Sequence, residues 1–567
     1  MVKNDLYDVP HIGSLQDVLI KSAQKYPDKL ALEDLNDTPI PSVTYSQLLK
    51  NVLKFGTALR NLGVKERAKV AIIGENRVQW GIAYLTCVCF NYVVVPIDRK
   101  LSESEIINII HESDAEAIIY SSEFHPLFLE KSKIFRKMKF YICMDYIKAE
   151  NNFYTMIDLL FSSKGCSLDN LPQINPEELA VILFTSGTLG KSKGVMLSQK
   201  NLTSNLMSMV SAFYIYPEDR FLSVLPIHHT YECTCGFLCP IYCGASVHYS
   251  RSLKTIVEDM QKVHPTILLG VPLLYDKMYR GIRKAIQEKK ITSIIISPLI
   301  TLTNILEGMG IDLKRRLFKE IHEKFGGSIR AFITGGAKQD PVIAKGLREF
   351  GFTFIQGYGL TETSPILTLN RLNNFRDDSA GLPLPGVEIK IANPDSEGNG
   401  EIWAKGPNIM LGYYKNEKAT KEVMENGWFK TGDIGHVDSD GFLYINGRKK
   451  NVIISKSGKN VYPEEIEDIL NRSPFILESM VYAEQDSKHG EIIKAQIYVD
   501  AEAFIELSEK ENIQINEQVI QEIIRKEIQN INKNLTPFKR IQDFIIRDKE
   551  FEKTTAQKIK RYANVPE

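Results

Sequence analysis

The chain has 567 residues, 43% hydrophobic and 25% charged, with Lys plus Arg matching Asp plus Glu at 70 each. That length holds several domain-sized units and a core that needs no disulfide or metal staple. A net charge of zero excludes attraction of the whole molecule to nucleic acid, and no nucleic-acid partner is expected.

The opening residues MVKNDLYDVPHIG contain no apolar signal-peptide core, so a cytoplasmic location is expected. Helical and strand patterns then alternate. SLQDVLIKSAQKY has helical spacing and precedes the apolar run KLALED; the helical YSQLLKNVLKFGTALRNLG leads into KVAIIGEN. An apolar helix from Trp80 to Cys89, the β-branched run YVVVPID, a helix at Glu103–Glu112 and the strand AEAIIYSS follow. Such alternation predicts an α/β fold with largely parallel sheet, and ILLGVP, RAFITGGA and FTFIQGYG continue it.

Residues 179–201, LAVILFTSGTLGKSKGVMLSQKN, run from an apolar strand into a loop of Gly, Ser, Thr and Lys. Backbone N–H groups, hydroxyls and lysines in such a loop suit phosphate oxygens. TSGTLGKS (185–192) misses the Walker A pattern only at Thr185, but strand-like residues follow it where a P-loop needs a helix. Further on, Cys233, Cys235, Cys239 and Cys243 lack the C-x-x-C pairs of a zinc site and read as small core residues carrying free thiols. The apolar stretch from Ile291 to Leu306 is shorter than the roughly 18–20 residues of a membrane span and is interrupted by Pro298. It reads as a buried segment; the alternative is an interfacial patch giving peripheral contact at the inner face of a membrane.

In QGYGLTETSP (356–365), Tyr358 offers a flat face for a base, and Gly357 and Gly359 let the backbone approach a ligand. Thr361 and Glu362 add a hydroxyl and a carboxylate, oxygen donors that suit Mg²⁺. From Gly381 the texture turns to short strands between Gly, Pro and Asn turns, the pattern of antiparallel β. After Gly447 a third texture begins, with Pro463 placed to start a helix, two strands and the charged helix NEQVIQEIIRKEIQNINKNL. The predicted organisation is a large α/β domain with an antiparallel β subdomain over 1–447 and a small, mobile α+β domain over 448–567.

The sequence TSGTLGKSKGV resembles the phosphate loop of the adenylate-forming superfamily, which includes acyl-CoA synthetases, luciferases and peptide-synthetase adenylation domains. The other signatures of that family follow in order: LPIHHTYE (225–232), GVPLLYDKMY (270–279), ITGGA (333–337), QGYGLTETSP, GEIWAKGPNIMLGYY (400–414), WFKTGDIGHVDSDGFLYINGRKK (428–450), SGKNVYPEEIE (457–467) and EKTTAQKIKR (552–561). The resemblance therefore covers most of the chain. It implies two steps: a carboxylic acid and ATP give an acyl-AMP and pyrophosphate, and the acyl group then passes to a thiol, that of coenzyme A or of an acyl carrier protein.

The resemblance also implies roles. Thr185, Ser186, Gly187, Thr188, Gly190 and Lys193 would surround the β- and γ-phosphates, with Glu362 on Mg²⁺ beside Thr361. Gly335, Gly336, Ala337, Gln356, Gly357, Tyr358 and Gly359 would line the adenine and acyl pocket, and Asp433 with Arg448 would hold the ribose or the α-phosphate. His229 would stand at the mouth of the acyl pocket, with His228 able to trade places with it. Lys558 would bridge the carboxylate and the α-phosphate, Lys450 would be the pivot, and Gly458 would line the pantetheine path. Leu189, Ser192 and Gln557 depart from the residues usual at their positions. LPIHHTYE, GKSKGVMLS and KFGGSIRAFITGGA are most similar to the long-chain fatty acid–CoA ligase branch, and apolar residues around 230–245 and 268–274 suit an alkyl chain. An aryl-acid ligase remains open, as does, from a different class, an inactive nucleotide-binding homologue.

Overall fold

A computed structural model describes residues 6–185, 192–288, 290–455, 459–486, 490–553 and 558–564. Its contacts divide the chain into two compact units. One comprises Met1–Ile389, Ala404–Phe429 and Ser439–Leu443; the other comprises Lys390–Trp403, Lys430–Asp438 and Tyr444–Glu567.

The larger unit is built on two big sheets. In the eight-stranded sheet, Lys69–Ile73 lies parallel to Val93–Ile97 on one side and to Ala117–Tyr120 on the other. Val93–Ile97 is buried along its whole length. A run of β-branched residues forms such a strand because it can be covered on both faces. Leu179–Thr185 continues the sheet in parallel and turns back antiparallel into Lys193–Ser198. The segment after the Gly-rich loop is thus a strand, which rules out the Walker A context as the sequence suggested. The short strand Gly412–Tyr413 closes this edge by pairing with Lys193–Ser198.

The nine-stranded sheet carries ILLGVP, RAFITGGA and FTFIQGYG as neighbouring parallel strands Ile267–Gly270, Ala331–Thr334 and Thr353–Gly359. Thr353–Gly359 then meets Ile366–Leu369 antiparallel. Helix starts follow local chemistry: Thr44, Ser102 and Ser198 each complete a reciprocal capping box with the residue three positions on. The helix Val78–Cys89 is buried all round, as its lack of a polar face requires.

The β texture after Gly381 gives a five-stranded sheet drawn from Glu388–Ala392, Gly400–Lys405, Met424–Glu425, Trp428–Val437 and Leu443–Arg448. Pro463 opens the helix Pro463–Leu470. Ile476–Asp486 and Gly490–Val499 form a long hairpin with Asp543–Ile546 parallel to its second strand. Ile466, Leu470, Val481, Ile493, Ala495 and Ile524 make the core there.

One expectation is overturned. The apolar stretch 291–306 is not buried throughout: it lies in the helix Lys290–Gly308, where Ile296 and Thr303 are buried but Ile295, Leu302 and Ile305 are 53%, 50% and 58% exposed. An apolar run has no polar side to mark which face the fold will cover, so sequence alone did not separate the two readings.

Candidate active site

The loop 360–366 is held by buried amides on other elements. Asn205 donates to the Ile366 carbonyl at 2.7 Å and accepts from its N–H at 3.2 Å, while Asn408 donates to the carbonyls of Thr363 and Ile366 at 2.8 and 3.0 Å. Asn205 and Asn408 are almost fully buried, where each lost bond would leave an expensive unpaired polar group. These bonds pin the loop, and the strand Thr353–Gly359 delivers Tyr358 directly into it. Gly359 is obligatory here, since a Cβ would lie 1.8 Å from the Pro365 carbonyl oxygen.

Within this frame Glu362 and Lys193 are joined through a third residue. The Tyr413 hydroxyl donates to Glu362 Oε1 at 2.9 Å, and Lys193 Nζ stands 4.9 Å from the centre of the Tyr413 ring. The Met410 N–H also donates to the Glu362 carbonyl at 2.9 Å. Thr185 faces Lys193 across the hairpin and donates to its carbonyl at 3.4 Å. Thr185 and Lys193, at the two ends of the Gly-rich loop, and Glu362 are thus brought together. Ser186, Gly187, Thr188, Gly190 and Leu189 lie outside the described residues, as do Gly458 and Gln557. Tyr413 was given no role from sequence. It stood inside a quoted signature, yet its partner is 51 residues away in the chain and spacing does not reveal that contact.

Beside Gly357 is an apolar cavity. Met209, Phe213, Tyr231, Cys235, Leu269 and Gly357 contribute to its wall. The segments 230–245 and 268–274 do supply part of that lining. Gly357 has no room for a side chain, because a Cβ would meet Leu369 Cδ1 at 2.9 Å. Gln356 is buried beside it, with Oε1 unpartnered. Gly335 is buried against the Tyr231 ring, whereas Gly336 (φ +83°) and Ala337 are exposed. Tyr231 opens a π-helical segment, Tyr231–Leu238, and its hydroxyl donates to the Ile333 carbonyl at 3.1 Å. Inside that segment Glu232 is 1% exposed, and burial pushes its carboxyl up to about 8. At neutral pH it is mostly protonated, and none of the residues lining the cavity is charged.

His228 and His229 follow a loop that Asn76 fixes by donating to Ser223 Oγ and the Leu225 carbonyl and accepting from the Ile227 N–H. Their rings are 4.1 Å apart. His228 is buried with Nε2 3.4 Å from Asp98 Oδ2, whereas His229 is half-buried. Of the two, His229 is the more exposed.

In the smaller unit Asp433 and Arg448 meet. Arg448 Nε lies 2.9 Å from Asp433 Oδ1, and its Nη1 donates to the Thr431 carbonyl at 3.2 Å. Asp433 is 5% exposed. Lys450 follows on the short helical turn Lys449–Asn451. Lys558 is exposed on the C-terminal segment, which Arg561 pins by donating to the Val481 carbonyl at 2.9 Å and to both oxygens of Glu467 at 2.6 and 2.5 Å.

Comparison with known proteins finds relatives that match most of the chain. Among curated relatives, the chloroplastic long-chain-fatty-acid–[acyl-carrier-protein] ligase AEE15 of Arabidopsis thaliana is 29% identical over 554 residues, covering 85% of this chain and 76% of that one. The long-chain-fatty-acid–CoA ligase FadD15 of Mycobacterium bovis is 27% identical over 500 residues, covering 84% and 80%. Among solved structures, the anthranilate CoA ligase AuaEII with anthranoyl-AMP has a TM-score of 0.78 at 21% identity, covering 98% of this chain and 97% of that one. ATP-bound MatB from Rhodopseudomonas palustris has a TM-score of 0.75 at 24% identity, covering 97% and 98%. At those identities the structural likeness establishes the fold alone. The family model described as "AMP-binding enzyme" matches residues 19–414, a span that holds the Gly-rich hairpin, the His pair, Tyr358, Glu362 and Tyr413; the chain belongs to the AMP-binding enzyme family.

Proposed function

We propose that this enzyme activates a long-chain fatty acid with ATP and transfers the acyl group to coenzyme A, acting in the cytoplasm. The observation that carries the reading is that one strand serves two purposes. Gly357 lines an uncharged apolar cavity, and Tyr358, Gly359, Thr361 and Glu362 follow it within five residues. An alkyl chain in the cavity would present its carboxylate next to the group that holds the nucleotide.

In the first step a carboxylate oxygen attacks the α-phosphorus of ATP. The α–β phosphoanhydride bond breaks and pyrophosphate leaves. Charge builds around the phosphates, so the protein must supply positive charge and oriented donors there. Lys193 and Thr185 with the Gly-rich loop take the β- and γ-phosphates, and Gly335, Gly336, Ala337, Gln356 and Tyr358 take the adenine side. Asp433 and Arg448 hold the ribose, and Lys558 bridges the carboxylate and the α-phosphate. Thr361 and Glu362 present a hydroxyl and a carboxylate, hard oxygen donors that fit Mg²⁺; the ion, when bound, supplies charge to the phosphates. Tyr413 is a positioning residue, because its hydroxyl fixes one Glu362 oxygen and its ring carries the Lys193 ammonium. His229 stands at the mouth of the cavity. In the second step the thiol sulfur attacks the acyl carbon and AMP leaves.

Lys558 lies in the C-terminal domain, residues 448–567, so this reading requires that domain to close for adenylation and to turn for thiol transfer. Lys450 would be the pivot, with the mobile domain starting at residue 448, and Gly458 would lie along the pantetheine path.

The test is exchange of labelled pyrophosphate into ATP over a panel of acids. Exchange that depends on fatty acids and rises with chain length is expected; exchange with aryl acids alone, or none with any acid, would overturn the reading. The acceptor is then settled by offering coenzyme A and acyl carrier protein in parallel. The carrier-protein alternative is kept because of the similarity to the Arabidopsis thaliana ligase.

A further inference from the structure

The helix Lys290–Gly308 follows Pro272–Glu288, which itself leaves the cavity strand Ile267–Gly270. Ile296, Leu299, Ile300 and Thr303 face the protein and join its core. A helix whose other neighbour is water shows charged or polar residues on the opposite face. Here the exposed side is divided: Ser297, Thr301 and Asn304 lie along one flank, and Ile295, Pro298, Leu302, Ile305 and, just past the helix end, Met309 along the other. The spacing of the apolar flank, three, four, three and four residues, puts it on one stripe about 20 Å long. Met309 is 71% exposed, and Ile311 and Leu317 beyond it are 47% and 44% exposed. Scattered surface hydrophobics need no explanation, but a stripe continued over four helical turns does.

The charge around the stripe is equally uneven. Residues 272–324 contain eleven Lys and Arg against six Asp and Glu, in a chain whose totals are equal at 70 each. Lys277, Arg283 and Lys284 on the preceding helix and Arg315, Arg316 and Lys319 after it are exposed. The turn Lys314–Leu317 is fastened to the end of the stripe helix by Lys314, whose Nζ lies 2.5 Å from Glu307 Oε2. An apolar stripe bordered by basic side chains complements a surface with anionic headgroups over an apolar interior. A second copy of the chain fits poorly, because a two-fold interface would set this basic region against itself. Among the described residues no helix is long and apolar enough to cross a membrane, so the complementary mode is to lie on the surface.

We propose that the outward face of Lys290–Gly308, with its basic borders, docks the protein on an anionic lipid bilayer. The Ile and Leu side chains enter the headgroup boundary, and Arg283 and Arg316 meet the lipid phosphates. This goes beyond the adenylation reading and does not depend on it, because binding is measured without ATP or acid.

The test is co-sedimentation of the full chain with phosphatidylglycerol vesicles and with phosphatidylcholine vesicles. Binding to phosphatidylglycerol should be about tenfold or more tighter than to phosphatidylcholine and should weaken as salt rises. L302E/I305E should lower phosphatidylglycerol binding about tenfold or more, and R283E/R316E should lower it while removing most of the salt dependence. Both variants replace exposed side chains, and unchanged melting temperatures would show that they remain folded. Equal binding to both vesicles, no binding to either, or wild-type binding by L302E/I305E would overturn the proposal. So would a wild-type dimer in sedimentation velocity that L302E/I305E dissolves, which would make the stripe a contact between copies.

Discussion

Glu232 illustrates how burial alone can set the charge of a single residue. Its carboxyl is buried, with Oε2 unpartnered, and the ring of Tyr231 beside it lines the cavity wall. Desolvation raises its pKa from an ordinary 4.5 to about 8, against a smaller opposing contribution from a hydrogen bond with Ser223. The sign of the pH dependence follows. Between about pH 5 and pH 8 the unfolded chain has lost this proton and the folded chain has kept it, so stability falls as pH rises through that window. Glu232→Gln keeps the shape and removes the titration. Thermal melts should show the variant gaining on the wild type from about pH 5 to pH 8, with no further gain above. A wild type whose melting temperature tracks that of the variant across the window would mean that Glu232 is already ionised in the fold.

At the scale of elements, the site depends on one strand ending where a pinned loop begins. Gly359→Ala would push a methyl carbon into the Pro365 carbonyl, which is fixed within the loop that Asn205 and Asn408 hold. Neither side can yield cheaply. The variant should lose about 1–3 kcal/mol of stability, the range for overpacking, and nucleotide affinity should fall with it. Calorimetric titration with ATP, alongside a denaturant melt, reads both; wild-type values for each would show that the strand end is looser than its packing implies. Much of this architecture was legible beforehand. Val93–Ile97 could be read because a β-branched run has little choice but a doubly covered strand. The Gly-rich hairpin could be read because Gly194 and VMLS exclude a following helix. The link from Glu362 through Tyr413 to Lys193 was not legible, since it joins three separate elements. Nor was the exposed face of Lys290–Gly308, because apolar periodicity is the same whether a stripe meets core or lipid.

At the scale of the molecule, the proposed chemistry is divided between two compact units. The apolar cavity, Lys193, Tyr413 and Glu362 belong to the larger; Asp433, Arg448, Lys450 and Lys558 belong to the smaller. Lys558 is held on a segment tied down within its own unit by the Arg561–Glu467 pair and by the Lys560 N–H donating to the Glu552 carbonyl at 2.8 Å. Removing its ammonium therefore leaves that anchorage in place, and Lys558→Ala should fold as the wild type does. If the ammonium acts only on charge developing at the α-phosphate, its loss should slow acyl-AMP formation by roughly 10²-fold or more, the scale for one key electrostatic group. Transfer from supplied acyl-AMP to the thiol forms no bond at phosphorus that needs it, so that half-reaction should keep its rate. Single-turnover assays of the two halves distinguish the cases. Equal losses in both would mean that the lysine serves the closed arrangement of the units as a whole, and the assignment of separate faces to separate steps would fail.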